Sequence, residues 1–240
     1  MASKSSTSAL IAGALLLAPL MMLASGRSRA AEPAVAIPPP TLDEGAPAGG
    51  SQNVVLAGGC FWGMQAVYEH TKGVTLAVSG YSGGSKETAH YQMVGTERTG
   101  HAESVSVTYD PRQISLGKIL QIYFSVAHNP TELNYQGPDS GTSYRSAIFY
   151  ANDEQKRIAA AYIEQLDKAH AFSAPIVTKL EPLTGFYPAE DYQQDFAVVH
   201  PTYPYIVFND LPKVDNLKRM FPDYYRDMPV TVMASNKPTQ

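Results

Sequence analysis

Residues 53–70 read NVVLAGGCFWGMQAVYEH, and the change of rhythm inside this stretch decides the architecture. Val54, Val55 and Leu56 form a short β-prone run. Gly58 and Gly59 end it with residues that tolerate a tight turn. From Phe61 the apolar residues fall on a helical period, which predicts a helix to about His70. Working outward, 74–81 and 103–109 alternate as strands. The first places Val74, Leu76 and Val78 on one face, and the second sets Val105, Val107 and Tyr109 opposite Ser104, Ser106 and Thr108. Ser115 is the expected N-cap of a helix carrying Leu116, Ile119, Leu120 and Tyr123. A strand over 145–150 and a capping-box-like pair, Asn152 and Gln155, lead into a long helix to about Ala169. A further strand is expected over 176–180, and Asp210-Leu211-Pro212 opens a last helix with Val214, Leu217 and Phe221. The order β-α-β, then β-α-β, predicts an α/β fold of the α+β kind. We expect a two-layer sandwich with a ferredoxin-like βαββαβ core and C-terminal additions, rather than a doubly wound sheet.

Composition narrows the function. With 18 Lys+Arg against 22 Asp+Glu and a net charge of −4, the chain lacks the basic face of a sequence-independent nucleic-acid binder. A single cysteine excludes an intrachain disulfide, CxxC redox chemistry and a Cys-rich zinc site. The six histidines show no HxxxH or HExxH spacing, so no metal site and no bound cofactor are expected.

Residues 1–30 read as an export signal: Lys4, an apolar run over 9–24 broken only by Pro19, and a small-x-small cleavage site at Ser28-Arg29-Ala30. The expected location is periplasmic or secreted, with an N-terminal membrane anchor as the alternative. Residues 31–52 hold five prolines, three glycines and no aromatic residue, and are expected to form a flexible or extended tether outside the core. The compact domain is expected over 53–226, with a fraying tail over 227–240.

Cys60 lies at the strand-to-helix turn, beside Phe61 and the only tryptophan, Trp62. A cysteine in the first turn of a helix meets free N–H groups and the positive end of the dipole, which favour a nucleophilic thiolate. The same residue also fits an inert, buried, small hydrophobe.

Five ordered pieces carry a resemblance. GCFWG, then SGYSGG at 79–84, TGHAESV at 99–105, GPDSGTSYRS at 137–146 and AEDYQQDF at 189–196 resemble the A-class peptide methionine sulfoxide reductases. The resemblance implies an enzyme that reduces the S epimer of methionine sulfoxide, within oxidised proteins or free. Cys60 would attack the sulfoxide sulfur and become a sulfenic acid. Glu103 would be the acid, protonated near neutral pH and therefore desolvated. Tyr81 and Tyr144 would donate hydrogen bonds to the sulfoxide oxygen, Asp139 would arrange the site, and Phe61 and Trp62 would hold the S-methyl group. His101 is read as structural support for its loop.

This chain departs from the resemblance in having no second cysteine near its C-terminus, where YPYIVFNDLPKVDNLKRMF occupies 203–221. An external thiol, from glutathione or a glutaredoxin-like or thioredoxin-like donor, is then expected to reduce the sulfenic acid. Gln65 and Gln193 stand where Glu and His are frequent. A monomer is expected. Two other readings stay open on the residues alone: a cysteine hydrolase or acyltransferase with His101, His128 or His200 as base, and a non-catalytic module that binds methionine-rich peptides.

Overall fold

A computed structural model describes Met1 and residues 33–45 and 49–235, so the expected signal segment lies outside the described residues. The described residues form eight strands: β1 Gln52–Ala57, β2 Val74–Ser82, β3 Ala102–Tyr109, β4 Tyr135–Gln136, β5 Asp139–Ser140, β6 Ala147–Tyr150, β7 Lys179–Pro182 and β8 Phe186–Pro188. The helices are α1 Phe61–Glu69, α2 Tyr91–Val94, α3 Leu116–Ile122, α4 Asp153–Lys168, α5 Phe196–Val199, α6 Leu211–Met220 and α7 Val232–Ser235. Six strands make one sheet in the order β7-β6-β1-β3-β2-β8, and β4 pairs with β5 apart from it. Neighbours within β6-β1-β3-β2 are antiparallel. This is the strand order of the expected ferredoxin-like core, with β1-α1-β2 and β3-α3-β6 as its two halves. The additions are β7, parallel to β6, and β8, antiparallel to β2.

One face of the sheet carries the main core. Val54 and Leu56 of β1 and Val105 and Val107 of β3 pack against Phe61, Met64 and Tyr68 of α1, Ile119 and Leu120 of α3, and Ile158 and Tyr162 of α4. Burying each of these large side chains contributes about 1.5–3 kcal/mol relative to leaving it in water. The opposite face buries a smaller cluster of Val55, Ala57, Ala102, Ala147 and Phe149. Ser115 caps α3 by accepting from the Lys118 amide, and Asn152 caps α4 by accepting from the Gln155 amide, as the sequence predicts.

Three local expectations are corrected. First, the pairing of β2 with β3 shifts register between Val74 and Leu76. The extra residue reverses the strand's parity, so Ala77 and Tyr81 join Val74 in the helix-side core while Leu76 and Val78 turn to the other face and are half-buried.

Second, the proline-rich segment is docked rather than tethered over residues 33–45. Ile37 joins the main core. The Tyr162 hydroxyl donates to the Pro38 carbonyl (2.7 Å), and the Gln165 amide donates to that of Pro39 (2.8 Å). Asp43 and Glu44 accept the Gly117 and Leu116 amides (2.8 and 2.9 Å), which supplies anions to the open N-terminus of α3.

Third, the described part of the tail is held. Asp195 accepts the Val232 and Met233 amides (both 2.9 Å), and Val230 donates to the Glu69 carbonyl. The Glu69 side chain is fully buried. Burial, reinforced by the neighbouring Asp195, pushes its carboxyl up to about 9, so it is neutral at physiological pH.

Candidate active site

The turn that presents Cys60 is built from glycine. Gly59 has φ +87°, and a Cβ there would meet the Gln136 side chain at 2.7 Å. Cys60 follows as the N-cap of α1, with φ −56° and ψ 126° and no hydrogen bond from its side chain to the helix. The residue is 7% exposed.

Its electrostatics reverse one expectation. The Trp62 amide does favour the thiolate, but burial comes first, and the acids Glu103, Asp210 and Asp139 oppose a charge on sulfur. The thiol is therefore held well above its ordinary range, and Cys60 rests protonated. The helix N-terminus alone does not outweigh desolvation.

Glu103 faces the same turn from β3, on the parity shared by Val105 and Val107. Its Oε2 accepts the Phe61 amide at 3.1 Å, and the residue is 4% exposed. Burial pushes its carboxyl up to about 8, the Phe61 amide draws it back only in part, and Asp139 adds to the rise. A carboxyl neutral at pH 7 thus stands beside a neutral thiol.

The aromatic residues divide into a floor and a wall. Phe61 is fully buried and packs near Tyr81 and Tyr91, at ring-centroid distances of 5.8 and 6.4 Å. Trp62 is half-buried and stacks on Phe196 at 3.9 Å with 9° between the planes. Its indole N–H donates to Gln193 Oε1 at 2.8 Å. The ring is therefore fixed on two sides, and the glutamine at 193 gives it an acceptor.

Gln65 serves a comparable purpose deeper in the core. Its amide donates to the Ala77 carbonyl and to Gln194, while its oxygen accepts from the Ser79 hydroxyl and the Asp195 amide. A neutral side chain that is both donor and acceptor satisfies that environment, and a carboxylate does not.

Tyr81 donates its hydroxyl to Glu190 Oε2 at 2.9 Å. Glu190 Oε1 accepts the Tyr91 amide. Burial alone would raise Glu190, but these donors, its own amide and His90 hold it below its usual range. Tyr91 and Tyr144 are both raised, by burial first and then by Glu103, with Cys60 among their neighbours; Tyr91 reaches about 12. Both hydroxyls thus keep their protons beside the sulfur. Asp139, on β5, accepts the Tyr205 hydroxyl.

The expected residues Cys60, Glu103, Tyr144 and Asp139 converge electrostatically, Phe61 and Trp62 lie in the same region, and Tyr81 meets it as the cross-strand partner of Glu103, with its hydroxyl given to Glu190. Sequence reasoning missed Tyr91, Glu190, Phe196, Tyr205, Asp210 and Lys213 as neighbours. Glu190 and Phe196 were within reach, as members of the AEDYQQDF piece. Tyr91 carries no marker of its own, and nothing in the spacing of Tyr205, Asp210 and Lys213 points to residues over a hundred positions earlier.

Of the three candidate bases, His101 and His128 are held by other partners, and His200 lies against the Phe196 ring at 4.4 Å. The Gly84 amide donates to His101 Nδ1 (3.2 Å) and Nε2 lies 2.9 Å from the Ser85 carbonyl, so one tautomer satisfies both. His101 thus supports its loop, as expected. His128 lies against the Tyr123 carbonyl and the Ser146 hydroxyl, and burial pushes it down to about 3. This arrangement does not favour a cysteine hydrolase.

The family model for peptide methionine sulfoxide reductase matches residues 52–224. The peptide methionine sulfoxide reductase MsrA 2 of Mesorhizobium japonicum is 62% identical over 195 residues, covering 81% of this chain and 100% of that protein. The MsrA 2 protein of Synechocystis is 46% identical over 190 residues, covering 78% of this chain and 89% of its own. The crystal structure of reduced Mxr1 from Saccharomyces cerevisiae has a TM-score of 0.57 at 31% identity, covering 68% of this chain and 92% of that one.

Proposed function

The chain belongs to the peptide methionine sulfoxide reductase family, and on that premise we propose how its residues divide the reduction of methionine sulfoxide. The substrate is the S epimer, in oxidised proteins or free. Cys60 sulfur attacks the sulfoxide sulfur while Glu103 gives its proton to the sulfoxide oxygen. Tyr144 and Tyr91 supply hydrogen bonds to that oxygen, while Tyr81 keeps its hydroxyl on Glu190 and acts from behind them. The sulfur–oxygen bond of the substrate breaks, the sulfide leaves, and Cys60 becomes a sulfenic acid. The proton count closes within the site: the oxygen passes to Cys60 sulfur carrying the proton that Glu103 gave, and the proton shed by the attacking thiol returns to Glu103. The S-methyl group rests against Trp62, with the buried Phe61 ring behind it. One methyl group is worth only about 1–3 kcal/mol of discrimination, so the donors to the oxygen carry most of the choice of epimer.

The observation that supports this reading best is Glu103, buried, bonded to the Phe61 amide and raised to about 8. It is an acid that still holds its proton at neutral pH.

With one cysteine in the chain, a thiol from outside closes the cycle. Enzyme mixed with excess sulfoxide and no thiol is expected to yield one sulfide per active site, together with a sulfenic acid that a dione reagent traps. A yield of several sulfides per site, or none, would overturn the scheme. Turnover with monothiols but not with dithiols would point to a glutathione-like donor.

Export belongs to the same reading and rests on the apolar run over 9–24 and the Ser28-Arg29-Ala30 site. Mass spectrometry of the protein from its native host should find Ala31 as the mature N-terminus. An intact N-terminus would favour the membrane-anchored alternative.

A further inference from the structure

We infer that the cleft between Cys60 and the start of α6 is the subsite for the external donor, a small acidic thiol, and that the Lys213 ammonium attracts the donor's acid group as well as its thiolate there. This rests on the sulfenic acid scheme proposed above. The cleft is lined by Cys60, Gln136, Pro138, Tyr205, Asn209 and Lys213. Its free volume is about 20 Å³, room for roughly one water-sized group. A single sulfur can enter it.

Lys213 is the only basic residue among the described residues lining the cleft. It is 8% exposed, a burial that lysines rarely show unless paired. Its one ion pair among the described residues is with Asp210 Oδ1, at 3.6 Å, longer than a hydrogen bond. Asp210 itself is fully buried and does not reach the cleft, so the charge offered to an entering molecule is that of the ammonium.

The ammonium lies at the first turn of α1: a Cβ built on Gly63 would stand 3.1 Å from Lys213 Nζ and 2.1 Å from Asp210 Oδ1. That site therefore needs glycine at 63 to admit the pair beside Cys60. The sulfoxide-reducing groups need no cation, since Glu103 and the tyrosines are neutral donors. The step that does bring an anion to Cys60 is the arrival of a thiolate, in a setting where Asp139 and Asp210 would otherwise repel it.

The chemistry balances with two donor thiols. The first, as thiolate, attacks the Cys60 sulfenic sulfur, the sulfur–oxygen bond breaks, and the oxygen leaves as water after taking a proton. A mixed disulfide forms. The second thiol attacks the donor sulfur, the donor disulfide leaves, and Cys60 returns to a thiol. Two donor thiols are oxidised and one sulfenic acid is reduced.

The test measures the two half-reactions of the full-length protein separately, with anionic mercaptoethanesulfonate, neutral mercaptoethanol and cationic cysteamine at equal thiolate concentration. Lys213→Gln should slow recycling by mercaptoethanesulfonate roughly tenfold relative to the thiol-free burst of sulfide, the order expected of one charge at a solvated cleft. It should slow cysteamine least. Lys213→Arg should retain most of the rate. Lys213→Gln combined with Asp210→Asn restores neutrality and should stay slow. Recovery in that double variant would show that the unpaired Asp210 caused the loss and would overturn the proposal. Equal slowing for all three thiols, or of burst and recycling alike, would also overturn it. If no variant and no wild-type protein gives a burst of sulfide, the reductase scheme fails instead, and that arm contains no thiol.

Discussion

Cys60→Ser is expected to lower sulfoxide reduction by at least about 10⁴-fold, as removal of a nucleophile does in other covalent mechanisms, without lowering thermal stability. The chemical reason is specific to the product. A serine oxygen attacking the sulfoxide would have to end bonded to the departing oxygen, whereas sulfur can carry that oxygen as a sulfenic acid. The structural reason concerns the cap. Cys60 occupies the N-cap of α1 and makes no capping hydrogen bond. Serine is among the preferred N-cap residues and differs little in size. The variant should therefore melt at or slightly above the wild-type temperature, and sulfoxide binding should persist in a calorimetric titration. Measurable turnover in this variant would remove Cys60 from the mechanism. A large fall in melting temperature would show that the thiol holds the turn together rather than reacting.

The part of the fold legible in the sequence is the part made by neighbours. The strand, turn and helix over 52–69 each carry a local signature, and so do the caps at Ser115 and Asn152. The errors arise where a distant partner decides. The residue that bulges β2 near Val74 carries no marker, and it exchanges the buried and half-buried faces for the rest of the strand. Proline-rich composition is a sound sign of a chain outside helix and strand, and residues 33–45 form neither. They are bound because Asp43 and Glu44 meet unpaired amides at the start of α3, some seventy positions later. The site divides in the same way. Cys60, Phe61 and Trp62 are adjacent and announce themselves, and Glu103 follows by resemblance. The glutamines at 65 and 193 are unusual by resemblance and acquire a reason only when their partners, Asp195 and Trp62, are in place.

Glu103→Gln should lower kcat/KM by about 10²–10⁴-fold, the usual contribution of a positioned acid, while preserving the local fold. The amide oxygen can still accept the Phe61 N–H that Oε2 accepts now at 3.1 Å, and it fills nearly the same volume. It cannot give up a proton to the sulfoxide oxygen. The pH dependence separates the two roles. In the folded protein the carboxyl is raised from its ordinary 4.5 to about 8 by burial, so wild-type activity should decline as pH rises through about 8, where the acid form is lost. The residual activity of the amide variant should lack that decline.

Stability moves with the same group. The unfolded carboxyl ionises above 4.5, while the folded one keeps its proton to about 8. Its contribution to stability is therefore complete below 4.5 and falls away as pH rises to about 8. The amide has no such loss, so the variant's melting temperature should fall less across that interval and should match or exceed the wild type at its alkaline end. Activity within tenfold of wild type would remove Glu103 as the acid. A variant that lost activity and melting temperature together at every pH would make Glu103 a strut for the Cys60 turn.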